Sequence, residues 1–418
     1  MDPQNLILKR RDLPHFVAPV IHALSEIVQG SRLRVFLVGG FVRDLLLGGS
    51  LRDMDVVTEG NSGDLARQLA GKVDGKVHSH GEFETYAVFL AEGTRIDIAM
   101  ARRESYLTPA ALPQVEPGTM EQDLQRRDFT INAIAIEVQR GGLGDFMDPY
   151  QGEKDLRSKK IQALHEKSFV EDPTRIFRAL RYQYRFGFSL ESKTAQWMEQ
   201  SIQQRIPALL SGKRLFTELK KMAEEKDPLP LFKALEQWKL FSFFDSSIRF
   251  GKDETKALRR LKEALKWAPS EFEASLTFLL LILSRLSEKK ISAQCREWSL
   301  PRRWEKAVLQ SKEATKVARS LNRPRLKPSQ VYRILAPYEL EPLLLFDAQG
   351  ERRASQWIQQ FICELRKTQI HTTGEELKRL GIPPGPSYKK ILGTLRDLTL
   401  DGKMSSPVDE EAYLKGLL

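Results

Sequence analysis

Two carboxylates stand one residue apart, Asp53 and Asp55, in the run Leu51-Arg52-Asp53-Met54-Asp55-Val56-Val57. On a strand, residues i and i+2 share a face, so both carboxylates point the same way. Magnesium takes a few carboxylate oxygens and completes its shell with phosphate oxygens. Two such ions can clamp the attacking and leaving oxygens of an in-line displacement. A third acid, Asp97, lies between Ile96 and Ile98 and faces away from those apolar neighbours. If its strand adjoins that of Asp53, three carboxylates converge, and Asp97 would complete a second metal site or assist deprotonation of an attacking hydroxyl.

A lone Asp-x-Asp mostly marks a polar loop, so the context matters. An apolar run, Val35 to Val38, ends at Gly39-Gly40, and Phe41-Val42-Arg43-Asp44 opens a helical pattern. Glycines let a backbone approach a phosphate closely. A helix N-terminus adds free N–H groups and the positive end of its dipole, and Arg43 in the first turn adds a charge. A Gly-Gly pair alone is more often a turn; strand, Gly-Gly, helix with Arg, Asp-x-Asp and a strand Asp in series is far rarer.

Two further polar clusters follow. Arg126, Arg127, Asp128 and Asn132 form one, which on residue types alone reads as a helix start capped by Asp128. In the stretch Glu171 to Arg185, Asp172 precedes Pro173, an N-cap with proline at the first helical position. Ile176, Leu180 and Tyr184 recur every four residues and should face a core, while Arg175, Arg178, Arg181 and Arg185 form a stripe that could be a solvated basic face.

These groups need elements to hold them. Phe16 to Val28 has helical spacing, and short β-like runs lie at Val35 to Val38, Met54 to Thr58, Thr85 to Leu90, Arg95 to Met100 and Ile131 to Val138. The middle pair should form a hairpin about Glu92-Gly93, with helices at Val42 to Leu47 and Gly63 to Leu69. Residues 101–125, rich in Pro, Thr and Gly, predict an irregular, mobile loop. After about residue 160 strand signals stop, and Pro173 to Phe186, Thr194 to Ile202, Gly212 to Glu225 and Lys256 to Trp267 have helical periodicity. The fold class is α+β: a sheet-bearing head on a long helical remainder.

The 418 residues exceed one ordinary core. The net charge is +11, which favours a polyanionic partner. Between Arg157 and Lys221, 14 Lys or Arg face 6 Asp or Glu, a net of +8 beside the proposed chemistry. Cys295 and Cys363 are far apart, which fits a reducing compartment rather than a disulfide scaffold. His78 and His80 match no zinc pattern. The first residues lack the apolar run of a signal peptide, and Leu276 to Leu283 is too short to span a bilayer, so a cytoplasmic protein without a membrane partner is expected.

The motifs Leu37 to Gly48 with Arg52 to Thr58, Arg126 to Ile136, Asp145 to Leu156 and Glu171 to Phe188 together resemble the bacterial-type (class II) tRNA nucleotidyltransferase and poly(A) polymerase family, within the polymerase-β-like superfamily. Leu380 to Lys403 resembles that family's C-terminal piece. The resemblance implies a head over 1–160, a neck over 161–225 that recognises the nucleobase, a body over 226–340, and a tail over 341–418 that binds tRNA. It implies that two Mg2+ ions are held by Asp53 and Asp55, and that nucleotide contacts come from Gly39, Gly40, Arg43, Arg126 and Arg127. It also implies that Asp172 and Arg175 read the base through Watson–Crick-like hydrogen bonds, with Arg178 and Arg181 holding the nucleotide. C and A both carry an exocyclic amine beside a ring acceptor, so one protein edge can select both without a template. The implied reaction adds C and A to the tRNA 3′ end from CTP and ATP. CC-only and A-only enzymes and poly(A) polymerases share these motifs, and the residues do not separate them or give an oligomeric state.

Beyond residue 225 chemical signals are few. Trp238, Phe241, Phe243 and Phe244 read as packing residues. Ala318 to Gln330 is basic enough to touch an RNA backbone, and Gly381 to Pro386 breaks two helices, either as a corner or as the approach to a phosphate-binding helix start near Ser387-Tyr388.

Overall fold

In the computed structural model, residues 13–51, 53–80, 84–91 and 93–417 are described. They fall into two compact units, 1–210 and 211–418. The expectations for the first twelve residues and for the Glu92 corner lie outside the described residues.

The first unit opens with α1 (Val17–Gln29), then β1 (Val35–Val38), α2 (Gly39–Leu47), β2 (Met54–Thr58) and α3 (Ser62–Val73). β3 (Lys76–His80), β4 (Thr85–Phe89) and β5 (Arg95–Met100) follow. These strands and two later ones, β8 (Ala135–Gln139) and β9 (Gly142–Met147), make a mixed seven-stranded sheet in the order β3-β4-β5-β2-β1-β8-β9. All neighbours are antiparallel except β2 and β5, which run parallel. β4 and β5 pair as the hairpin expected, and the head is α+β as the periodicity implied.

On one sheet face, Phe36, Val38 and Val57 pack with Met120 and Leu124 of α4 (Met120–Gln125) and with Ala133 and Ala135. Burial of each large apolar side chain contributes about 1.5–3 kcal/mol, which fixes α4 on the sheet. Asp55 is two residues from Val57 and so shares this face. Ile96 and Ile98, fully buried, face the other way, where α3 packs on β4 and β5.

Three sequence expectations need correction. Residues 101–125 are not an irregular loop: β6 (Arg102–Ser105) and β7 (Gln114–Pro117) pair antiparallel, and α4 follows with a Thr119–Gln122 capping box. The strands do not stop at residue 160, because β10 (Lys160–Ile161) and β11 (Ser189–Leu190) form a short parallel pair. Between them lie α6 (Ser168–Glu171) and α7 (Thr174–Phe186), preceded by α5 (Gly152–Arg157) and followed by α8 (Ser192–Gln203). On α7, Tyr184 is 42% exposed and Tyr182 is the buried ring, covered by Phe129 edge-on at 5.8 Å and by the Arg43 guanidinium at 5.3 Å.

The second unit is helical from Gly212–Ala223 to Pro407–Lys415. Its Ala274–Leu283 helix is buried all round, which explains its uniformly apolar run. No helix among the described residues is long and apolar enough to cross a membrane. Phe241 and Phe244 are buried, and Phe241 packs with Phe232 and Phe250, as a packing role requires. Near the end, Leu377, Leu395 and Leu414 form a small core of their own.

Candidate active site

The parallel register of β2 and β5 sets Asp55 directly beside Asp97, and Asp53 stands two residues before Asp55 at the strand's entrance. The adjoining strands expected for Asp97 are therefore present. A three-carboxylate metal cluster is not: among the described residues no group of three or more His, Cys, Asp or Glu could hold one ion. The Asp97 carboxylate turns to Arg95, whose Nε donates to it at 2.7 Å. Burial raises the pKa of Asp55 above the ordinary value; Arg127 and Arg43 pull it down, and Asp97 and Asp53 push it further up.

The Gly39-Gly40 turn lies against this carboxylate. Gly39 has φ +63°, and a Cβ there would fall 2.6 Å from Arg127 Nη1 and 3.9 Å from Asp55 Oδ2. A Cβ on Gly40 would lie 3.7 Å from the same oxygen and 3.5 Å from Arg43 Nη2. The turn is thus a place where backbone, an acid and two arginines meet at the start of α2.

Behind it runs a polar network. Arg43 is 5% exposed. Its Nε and Nη2 donate to Asp44 at 2.9 and 3.0 Å, and its Nη1 donates to Asn132 Oδ1 at 2.7 Å. The guanidinium also stacks over Phe186 at 4.7 Å. Asn132 donates to Asp128 Oδ1 at 2.8 Å, and Arg178 Nε donates to Asp128 Oδ2 at 2.7 Å. Burial alone would raise the pKa of Asp128, but Arg178 and Asn132 more than offset it and hold the carboxyl below its ordinary value. Asp128 thus bridges the start of the Thr130–Asn132 turn to α7 rather than serving only as a cap.

That turn is buttressed from below. Asp148 accepts from Gly152 N at 2.7 Å and Glu153 N at 2.9 Å, capping α5. A Cβ on Gly152 would sit 2.2 Å from the Thr130 carbonyl oxygen, so only glycine allows this approach. Thr130 Oγ1 donates to Asp155 at 2.6 Å. These contacts account for the Asp145–Leu156 motif as support for the loop before β8.

At the start of α7, Asp172 Oδ1 accepts from Thr174 N and Oγ1, at 3.1 and 2.6 Å. The cap role expected from the sequence is there, although the helix itself begins at Thr174. Arg175 is 4% exposed. Its Nη1 donates to Ser168 Oγ at 2.8 Å and its Nη2 to the Arg126 carbonyl at 2.7 Å. Arg181 lies one turn beyond Arg178 on the same helix. Gly39, Gly40, Arg43, Asp55 and Arg127 are thus brought together, and Arg175, Arg178 and Asp128 form an adjoining wall. Sequence reasoning passed over Asp123, which is fully buried and paired with both Arg126 and Arg127; its spacing of three and four residues from those arginines on a helix was the available signal.

Residues 35–162 match the model of the poly(A) polymerase head domain. The chain is 31% identical over 376 residues to the A-adding tRNA nucleotidyltransferase of Halalkalibacterium halodurans, covering 89% of this chain and 86% of that protein. It belongs to the tRNA nucleotidyltransferase and poly(A) polymerase family. A second family member, the A-adding tRNA nucleotidyltransferase of Geobacter sulfurreducens, is 30% identical over 415 residues, 96% of this chain. The chain spans about half of that longer relative, 47% of its length. Among solved structures of the family, the apo form II of a CCA-adding enzyme superposes with a TM-score of 0.84 at 30% identity, covering 100% of this chain and 99% of that one.

Proposed function

We propose that this chain is a template-independent nucleotidyltransferase that adds C and A residues to the 3′ end of tRNA from CTP and ATP. The observation that carries the reading is the meeting of the Gly39-Gly40 turn, Asp55 and Arg127 on one face of the sheet. The tRNA 3′ hydroxyl attacks the α-phosphate, a new P–O bond forms, and pyrophosphate leaves.

Nucleotidyltransferases of this type use divalent metal ions. Asp53 and Asp55 would hold them, as two Mg2+ ions, and the donor set fits: both are hard oxygen ligands, and the pKa of Asp55 is raised by burial and by two neighbouring acids, a crowding that a cation relieves. When bound, such ions neutralise charge on the attacking and leaving oxygens. Asp97 assists removal of the hydroxyl proton. The N–H groups at the start of α2 and the Arg127 guanidinium take the phosphates. Asp172 and Arg175 read the edge of the base, and Arg178 and Arg181 hold the nucleotide. The helical second unit grips tRNA by shape and charge, and this substrate puts the protein in the cytoplasm.

A second reading, addition of the terminal A alone, is favoured by the names of three relatives matched over most of this chain, which are A-adding, against one so matched that is CC-adding. The test is extension of three tRNA transcripts, lacking CCA, ending in C-C and complete, with CTP and ATP supplied singly and together in magnesium. Full CCA on the first transcript supports the main reading. Use of only the C-C-ending transcript with ATP supports the second, and no extension of any transcript rejects both.

A further inference from the structure

Arg126 and Arg127 are adjacent in sequence, yet one buried carboxylate sends them in different directions. Asp123, on α4, is 0% exposed. Its Oδ1 accepts from Arg126 Nε at 2.9 Å and Nη2 at 2.7 Å. Its Oδ2 accepts from Arg127 Nε at 3.2 Å and Nη2 at 2.8 Å. A carboxylate gripping two guanidinium forks fixes the plane of each, because both hydrogen bonds of a fork must be satisfied together. Burial would raise the pKa of Asp123, but Arg127 and Arg126 more than offset this and keep the carboxyl below its ordinary value.

The remaining edges of the two arginines differ. Arg126 Nη1 donates to Glu104 Oε1 on β6 at 3.0 Å, and Glu104 Oε2 accepts from Tyr106 at 2.9 Å. The Arg126 carbonyl takes the Arg175 donor already described. Arg126 therefore braces the β6–β7 hairpin and the start of α7. Arg127 Nη1 donates to the Asn132 carbonyl at 3.2 Å and is the group a Cβ on Gly39 would strike. Of the two, only Arg127 is aimed at the turn and at Asp55.

We propose that Asp123 is a positioning residue that divides the labour of the two arginines, presenting Arg127 to the nucleotide phosphates and turning Arg126 into the fold as a brace. The inference rests on the nucleotide chemistry proposed above. The test uses the full-length chain with Arg126→Gln, Arg127→Gln, Asp123→Asn and the Asp123→Asn/Arg127→Gln double variant. It reads the Kd for CTP and ATP in magnesium by calorimetry, KM and kcat for tRNA extension, and Tm. Arg127→Gln raises the nucleotide Kd about tenfold or more, the loss of a charge-assisted hydrogen bond, and also lowers Tm because it forfeits the bonds to Asp123 and to the Asn132 carbonyl. Arg126→Gln lowers Tm and moves the nucleotide Kd much less. Asp123→Asn raises KM more than it lowers kcat, and adding it to Arg127→Gln produces no further rise in Kd, because it acts through that residue.

Equal effects of the two arginine variants on Kd overturn the proposal, as do effects of Asp123→Asn and Arg127→Gln that multiply. If Asp123→Asn does not fold, the contrast between the two arginine variants decides alone. A wild-type chain that binds neither CTP nor ATP rejects the nucleotidyltransferase reading and this inference with it. Normal wild-type binding with the wrong variant pattern rejects only the division of labour.

Discussion

Replacing Gly39 with alanine tests the turn most directly, with Gly40→Ala as its control. At Gly39 the backbone is left-handed, at φ +63°, which costs an alanine about 1–2 kcal/mol. The new methyl would also stand 2.6 Å from Arg127 Nη1 and push it off the Asn132 carbonyl, a charge-assisted hydrogen bond contributing about 1.5–3 kcal/mol. The two effects together come to about 2.5–5 kcal/mol, and at about 2–4 °C per kcal/mol for a unit of this size the Tm falls by about 5–20 °C. At Gly40 φ is not in the left-handed region, and the methyl would meet Arg43 Nη2 and Asp55 Oδ2 at 3.5 and 3.7 Å, ordinary contact distances. Alanine is a better helix former there by up to about 1 kcal/mol, so Gly40→Ala holds or raises the Tm. The assay is thermal denaturation of both variants alongside nucleotide Kd. Gly39→Ala weakens CTP and ATP binding in step with its loss of stability, since it displaces Arg127. Equal melting of the two variants, or a Gly39→Ala protein that melts with wild type, refutes the account of the turn.

Other expectations follow from the same geometry. Asp55→Asn should cut nucleotide incorporation at least about a hundredfold, yet leave the metal-free Tm unchanged or higher, because burial and neighbouring acids make an ionised Asp55 unfavourable; a lower Tm in chelator contradicts this. Asp148→Ala removes both acceptors at the start of α5 and should cost about 1 kcal/mol, read in a melting curve. Asp128 has a folded pKa below its ordinary value, so its contribution is full above the unfolded pKa of about 3.9 and is lost as pH falls through the folded value. Stability measured between about pH 3 and 6 should decline less steeply in Asp128→Asn than in wild type; parallel slopes would count against the Arg178 pairing.

The composite of an apolar run, Gly39-Gly40 and the Asp53/Asp55 pair was legible because each part has a strong local signature, and the structure keeps all of them at one end of the central strands β1 and β2. The part that escaped is carried by tertiary contacts. The spacing of Asp123 from Arg126 and Arg127 was visible, but these two partners meet it only if α4 is a helix, and the Pro-rich composition around it hid that helix behind an apparent loop. The β6–β7 pair was obscured in the same way, although Arg103 and Glu116 face each other across it at 2.5 Å. On α7 a four-residue spacing pointed to Tyr184, while the buried ring is Tyr182, chosen by Phe129 and Arg43 from distant parts of the chain. The partners of Arg43 were hidden in the same way: beside the turn, it is held by Asp44, Asn132 and two aromatic rings from separate parts of the chain.

The pairing of β1 with β8 joins Val35 to Val138, and Gly39 N donates to the Ile134 carbonyl at 3.3 Å. This sets an order of events during folding. β1 and β2 are near neighbours in sequence and β5 pairs with β2 across roughly forty residues, so these can pair earlier than β8, which must close a loop of about a hundred residues before its contacts stabilise anything. The acids Asp53, Asp55 and Asp97 are therefore assembled before Arg127 and Asn132 arrive. A growing chain passes through a stage in which the acidic half of the site has Arg43 and Arg95 but still lacks Arg127, and docking of β8 is the step that ends it. Substitutions at the β1–β8 seam should accordingly slow refolding more than equally destabilising changes in α1 or α3.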